Sequence, residues 1–358
     1  MGNALQPLTR SAPLGYEQSM RCADVLLTAP MMPLVERALD ESFAVHRLSE
    51  AKDGGEFIRT VGPRIRGLAT STLSGRVDAQ LLDHLPSLEI IANFGVGYDD
   101  VDVLAAVERG IIVTNTPGVL DEEVADLTVG LLLATLRQLP QADRFVRDGR
   151  WLHGSFPLSP TLRGRRIGMV GLGNIGKAVA RRLAAFDLPI AYHVRTQQTL
   201  TDLDYHSTLL GLAEASDVLI VTVPGGAVTR HLINAKVLQA LGSDGVLINV
   251  SRGSVVDESA LIAALESGTI LGAGLDVFDD EPRVPPELID MPQVVLLPHI
   301  GSASTHTRAA MGQLVVDNLR NWFEHGVPIT PVPETQASGA VGKAQRRSRT
   351  TDSRSNQH

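Results

Sequence analysis

Short β-branched and aliphatic runs alternate along this chain with segments whose apolar positions recur at helical spacing. From Asp24 onward the runs Val25–Thr28, Gly67–Thr70, Glu89–Ala92 and Ile111–Thr114 are expected to be strands. Val77–Leu85 and Val101–Arg109 read as helices among them. Asn115-Thr-Pro-Gly118 then breaks the pattern, and a long helical stretch follows from Asp121 to Arg147, interrupted by Pro140. Its aliphatic positions Val124, Leu127, Leu131, Leu132 and Leu136 share one face. After a loop-like Asp148–Gly164 a second series begins, with strands expected at Ile167–Val170, Ile190–His193, Val218–Thr222, Val246–Val250, Leu271–Val277 and Val294–Leu297. The last helix, from about Ser304 to Glu324, follows after the second set of strands is complete and is expected to pack on the first domain.

Alternation of this kind produces βαβ units and parallel sheets, so the expected fold class is α/β with two doubly wound parallel-sheet domains. One would comprise residues 23–118 plus 304–333 and the other 119–303, with a flexible leader at 1–22 and a disordered basic tail at 334–358. The length of 358 residues suits about two such domains.

Composition narrows the class further. Hydrophobic content of 44% with 20% charged residues belongs to an ordinary globular protein. The longest apolar run, Leu127–Leu136, is too short to cross a bilayer, so no membrane partner is expected. The N-terminus has no signal-peptide pattern, and Gln6 breaks the myristoylation pattern that a Met-Gly start invites. Cys22 is the only cysteine, which excludes an internal disulfide and a cysteine-cluster metal site; a reducing, cytoplasmic setting and no metal are expected. The net charge of -8 is uneven: the segment from Thr335 carries +4 and the rest -12. An acidic body argues against nucleic acid as a partner.

The segment "GMVGLGNIGK" contains Gly171-x-Gly173-x-x-Gly176 after a predicted strand and at the start of a helical pattern. Glycines here permit a tight turn and close approach of a pyrophosphate, with Asn174 and Ile175 supplying amides at the helix N-terminus. NAD-selective sites place an acid at the end of the next strand, but "AYHVRT" has none. Arg195 with Thr196 would instead receive a 2′-phosphate, so NADPH is the expected preference, with NADH as the alternative.

"VLINVSRGSVVD" raises a question, because it carries Arg252 to the tip of a core-like strand. Glu281 and His299 also stand just past strands, on the carboxyl edge that faces ligands in such sheets. The three fit reduction of a 2-oxo acid. Arg252 would bind the carboxylate and polarise the ketone, and His299 would donate a proton as hydride arrives. Glu281 would favour the imidazolium and hold the ring.

"GLGNIG", "INVSRGSVVDE", "GLDVFDDEP" and "LLPHIGSAS" resemble the D-isomer-specific 2-hydroxyacid dehydrogenase family, over roughly Val25 to Pro333. The resemblance implies a flavodoxin-like substrate domain and a Rossmann coenzyme domain with a cleft between them. It implies catalytic roles for Arg252, Glu281 and His299, and nicotinamide binding by Asp276. "NFGVGYDDVD" resembles the family's substrate loop, which assigns the substrate carboxylate to the amides of Val96 and Gly97. "AYHVRT" and "VPGG", with Val223 and Pro224 beside the cofactor, resemble the glyoxylate/hydroxypyruvate reductase branch. A homodimer, built largely through the long helix after Asn115-Thr-Pro, is also implied. Asp126 departs from the glutamate that many relatives carry.

Two alternatives remain open at this level. One is a hydroxyphenylpyruvate or 2-ketogluconate type of reductase, with Trp151 and Phe156 as candidate pocket caps. The other is an NAD(H)-sensing binding protein of corepressor type, which shares the fold and the Arg/Glu/His set.

Overall fold

The alternation of strand and helix yields two sheets whose strand pairs all run parallel. The computed structural model describes residues 23–71, 75–199 and 201–338. Its strands are β1 (Asp24–Leu27), β2 (Ala44–Arg47), β3 (Ile65–Ser71), β4 (Ile90–Phe94), β5 (Ile112–Thr114), β6 (Ile167–Val170), β7 (Ile190–His193), β8 (Asp204–Tyr205), β9 (Val218–Val221), β10 (Val246–Asn249), β11 (Gly272–Leu275) and β12 (Val294–Leu296). The helices that bear on the site are α1 (Pro33–Ser42), α2 (Gly54–Val61), α3 (Asp121–Arg137), α4 (Leu139–Arg147), α5 (Asn174–Ala184), α6 (Thr305–His325) and α7 (Pro333–Ala337).

The described chain forms two compact units, one from residues up to Pro117 together with those from Arg308 on, the other from Gly118 to Thr307. In the first, the strand order is β2-β1-β3-β4-β5, the flavodoxin-like order. In the second it is β12-β11-β10-β9-β6-β7-β8, so the chain leaves β6 for β7 on one side and returns to β9 on the other. That reversal opens a crevice at the carboxyl ends of β6 and β9, where doubly wound sheets bind ligands. Strands β6, β9, β10 and β11 are buried along their whole length, as expected of parallel strands covered on both faces.

As the sequence pattern predicts, α6 packs on the first sheet. A Cβ on Gly67 of β3 would meet Leu319 and Phe323 at 3.2 Å, Trp322 Nε1 donates to Glu89 at 3.0 Å, and Phe323 meets Phe43 edge-on. The chain then returns to β5. Pro331 bridges Thr114, the Val332 amide donates to the Val113 carbonyl at 3.0 Å, and the Val113 amide donates to Thr335 Oγ1 at 3.2 Å. An outer strand is thereby sealed against pairing with another chain.

The structure corrects several expectations. The ordered chain runs past residue 334, the expected start of a disordered tail, since α7 follows and Thr335 is fully buried. The leader, and the tail beyond 338, lie outside the described residues. The long helix breaks at Gln138, which adopts φ 51°, and Pro140 sits in the first turn of α4, where its missing N–H costs nothing. The half-buried edge strand β2, the two-residue β8 and helices α1 and α2 were not anticipated from the sequence pattern. Arg150–His153 forms a short 3-10 turn inside the expected loop. Among the described residues no helix is long and apolar enough to cross a membrane.

Thr335→Val keeps the size of a fully buried side chain and removes the acceptor for the Val113 amide. The expected cost is about 1–3 kcal/mol, the desolvation penalty of one orphaned amide. Urea unfolding should show a lower midpoint for the variant, and an unchanged midpoint would contradict this account of the β5 edge.

Candidate active site

The glycine-rich turn follows β6 at the crevice. Gly171 takes φ +97°, and a Cβ there would meet Val223 Cγ1 at 2.9 Å and the Val223 amide at 3.0 Å. A Cβ on Gly176 would stand 2.7 Å from the Gly171 carbonyl, whereas Gly173 faces open space. Two glycines therefore close the turn and the third leaves the approach to it clear. Thr222 Oγ1 donates to the Gly171 carbonyl at 3.1 Å, which ties the β9 end to the turn. Helix α5 starts immediately after, with Asn174 and Ile175 in its first turn and the side chain of Asn174 on Asp121. A tight turn, an unfilled approach and a helix N-terminus suit a pyrophosphate.

At the end of β7, Arg195 and Thr196 are exposed, and no carboxylate stands at the strand end. Among the described residues Arg195 forms no ion pair. Val223 is half-buried and Pro224 exposed, in the loop after β9, where Thr229 Oγ1 donates to the Pro224 carbonyl at 2.7 Å. The donors and contours at these positions fit an NAD(P) dinucleotide.

The arginine at the tip of β10 is explained by what surrounds it. Asn249, the last residue of β10, is buried; its amide group donates to the Arg252 carbonyl at 2.9 Å, and its Oδ1 accepts from the Ser251 amide and hydroxyl. The main chain thus turns sharply at Ser251–Gly253 with its polar groups satisfied. A Cβ on Gly253 would overlap the Phe278 carbonyl carbon, at 1.8 Å, so only glycine lets this turn lie against residues 278–279. Arg252 Nη1 donates to the Ser251 carbonyl at 2.7 Å, and its charge reaches Glu281.

Glu281 uses both carboxylate oxygens. Oε1 accepts from the Phe278 amide at 3.0 Å, and Oε2 stands 2.7 Å from His299 Nδ1. Burial opposes its ionisation, but the hydrogen bond and charge of His299, the Phe278 amide and Arg252 outweigh burial and hold its carboxyl below the ordinary range. His299 itself adopts φ +54°, uncommon for a residue with a side chain. Three bonds from Asp276 hold it there: the Asp276 carbonyl accepts from the His299 amide at 2.8 Å, and its carboxylate accepts from the amides of Ile300 and Gly301, each at 2.8 Å. Burial pushes the Asp276 carboxyl above its ordinary pKa, against the pull of those two amides and of His299.

In the first unit, the loop after β4 is shaped by two asparagines. Asn93 donates to the carbonyls of Gly95 and Gly97, and Asn115 donates to that of Val96 at 2.8 Å. With their carbonyls engaged, the amides of Val96 and Gly97 have no acceptor among the described residues. Successive free amides of this kind bind anions.

The structure thus brings Arg252, Glu281, His299 and Asp276 together in the second unit. Asn249, Thr222, Asn93 and Asn115 were missed, because their bonds go to main-chain atoms that no spacing rule reveals. Glu258 was missed for the same reason; it accepts from the Asp279 amide at 2.9 Å. Phe156 packs edge-on against Phe145, an ordinary contact, and Trp151 is exposed. Asp126 pairs with Arg182 at the surface. Among the described residues no group of three or more His, Cys, Asp and Glu could hold a metal ion.

Residues 129–301 match the family described as D-isomer specific 2-hydroxyacid dehydrogenase, NAD binding domain. The chain is 44% identical over 313 residues to the hydroxyphenylpyruvate reductase of Plectranthus scutellarioides, a span of 87% of this chain and 100% of that one. It is equally similar, 44% over 313 residues with the same coverage, to a glyoxylate/hydroxypyruvate reductase of Arabidopsis thaliana. Among solved structures it resembles an NADPH-dependent glyoxylate/hydroxypyruvate reductase of Sinorhizobium meliloti in complex with NADP and malonate. That likeness has a TM-score of 0.82 and 53% identity, over 88% of this chain and 98% of the other.

The lowered carboxyl pKa of Glu281 has a definite sign in acid. Its contribution to stability is complete above the ordinary carboxylate range and is lost as pH falls through the lowered value. Glu281→Gln should therefore be less stable than the parent near neutrality, with the gap narrowing as pH drops from about 6 to about 3. Denaturant midpoints across that range measure it, and a gap that does not narrow would contradict the pairing.

Proposed function

The chain belongs to the D-isomer specific 2-hydroxyacid dehydrogenase family, and we propose that it reduces small 2-oxo acids, glyoxylate and hydroxypyruvate foremost, to D-2-hydroxy acids with NADPH preferred. The observation that carries this reading is the 2.7 Å pairing of His299 with Glu281, within reach of the Arg252 charge and on the sheet edge that also bears the glycine turn. Bound NAD(P)H, held at Gly171–Gly176, Val223, Pro224 and Asp276, supplies the hydride. The protein's own part is to bind, orient and deliver a proton.

Ionised Glu281 accepts the hydrogen of His299 Nδ1 and favours the imidazolium, whose second hydrogen, on Nε2, is the one donated to the substrate's carbonyl oxygen. Arg252 draws electron density toward that oxygen and binds the carboxylate, each charge-assisted hydrogen bond contributing about 1.5–3 kcal/mol. The free amides of Val96 and Gly97, in the first unit, are the groups there suited to a substrate carboxylate. Transfer leaves His299 neutral with its hydrogen on Nδ1, and the Glu281 charge favours the return of a proton from water to Nε2. The NADPH preference rests on Arg195 and Thr196 and on the lack of an acid after β7, and the NADP-bound Sinorhizobium meliloti relative supports it.

We further propose a homodimer, built on the second half of the long helical stretch and the segment after it. Helix α3 buries Val124, Leu131, Leu132 and Leu136 within its own unit. Helix α4 and the segment after it, by contrast, expose Leu139, Val146, Trp151, Leu152 and Leu158. Exposed apolar side chains along one stretch of chain support an association surface there.

The purified chain should oxidise NADPH faster than NADH with glyoxylate or hydroxypyruvate. Arg195→Ala should raise KM for NADPH and leave NADH turnover nearly unchanged. His299→Ala should lower kcat by about 10²–10⁴. No turnover with any 2-oxo acid would overturn the assignment. Sedimentation should give twice the chain mass for the parent, and a Trp151→Glu/Leu152→Glu double variant should shift toward the monomer; a parent that sediments as a monomer would contradict the dimer.

A further inference from the structure

We propose that Gln198 is a positioning residue that sets the preference for a 2′-phosphorylated dinucleotide, by tying the Arg195–Thr196 loop to the glycine-rich turn. The proposal rests on the reading of Arg195 given above and extends it to a residue whose bonds go to the Tyr192 hydroxyl and the Leu172 carbonyl.

Arg195 and Thr196 are exposed on a loop, and a long cation so placed loses entropy when it clasps a phosphate. The loop, however, is anchored on both sides of them. On the near side, Tyr205 donates its hydroxyl to the Val194 carbonyl at 3.3 Å. On the far side, the Tyr192 hydroxyl accepts from the Gln198 amide at 3.1 Å and donates to the Gln198 carbonyl at 3.2 Å. Tyr192 is fully buried in β7, and its ring lies 5.4 Å from that of Tyr205. The third anchor is the Gln198 side chain, whose Nε2 donates to the Leu172 carbonyl at 2.8 Å.

Leu172 lies between Gly171 and Gly173, so this bond connects the pyrophosphate turn directly to the loop that would meet the 2′-phosphate. The distance between the two anion sites is then set before the ligand arrives. A dinucleotide without the 2′-phosphate needs only the first site. Loosening Gln198 should therefore weaken NADP⁺ far more than NAD⁺.

Calorimetric titration of the full chain with NADP⁺ and with NAD⁺ tests this without turnover. Gln198→Ala should weaken NADP⁺ by about tenfold and NAD⁺ by less than about threefold. Tyr192→Phe, which removes only the hydroxyl that grips the Gln198 backbone, should move the same ratio in the same direction and decides the matter if the alanine variant does not fold. Equal weakening of both nucleotides, or none, overturns the proposal. Arg195→Ala separates the two levels. If it collapses the NADP⁺/NAD⁺ ratio while Gln198→Ala and Tyr192→Phe leave it intact, only the role of Gln198 fails. If Arg195→Ala leaves the ratio intact, the reading of Arg195 fails and the role of Gln198 with it.

Discussion

Asp276 carries a carboxylate into a site where only 1% of its surface meets solvent, and both its oxygens accept main-chain amides from the residues after His299. A buried carboxylate is costly unless such donors surround it, so the two groups depend on each other. The aspartate is tolerable because the loop turns back onto it. The loop turns back, through the uncommon backbone conformation of His299, because the aspartate is there. The orientation of the histidine toward Glu281 follows from this grip, and a carboxylate has lone pairs left over for a further donor such as a carboxamide.

Close approach of main chain to main chain is the second constraint. Gly253 lets the turn bearing Arg252 lie on residues 278–279, where Glu281 begins its own turn. Asn249 and Glu258 then satisfy the polar groups that such contact would otherwise strand. Arg252, Glu281 and His299, from three separate strand ends, are thereby held by backbone that cannot drift. Positioning of this kind costs little at the moment of reaction, because the ordering has been done by folding.

Much of this was legible in the sequence wherever a residue type was forced by geometry. Strands β6 and β9 follow directly from their aliphatic runs, because strands buried on both faces leave no other pattern. Arg252, Glu281 and His299 stood out because charge at the end of a buried strand needs a purpose. Strand β2 was missed because its Ala-Val-His-Arg lies half-buried at an edge and mixes polar with apolar residues. The helix break was placed at Pro140 because proline is the stronger signal, yet the left-handed turn falls on Gln138, whose side chain announces nothing. Gln198, Asn93 and Asn115 were invisible for another reason: they act on carbonyl groups, and every residue has one.

The seal on β5 has a consequence for how the molecule is made. Val332 and Thr335 complete the edge of a sheet whose first strand begins at Asp24, and α6 supplies the helix on its face. A ribosome releases these residues only after the whole segment from Gly118 to Thr307 has emerged. Domains generally fold as they appear. Here the segment inserted in the middle can fold while the earlier strands still wait for their missing partners. The unit that is begun first is finished last, and until then its apolar faces are the part of the nascent chain most in need of protection.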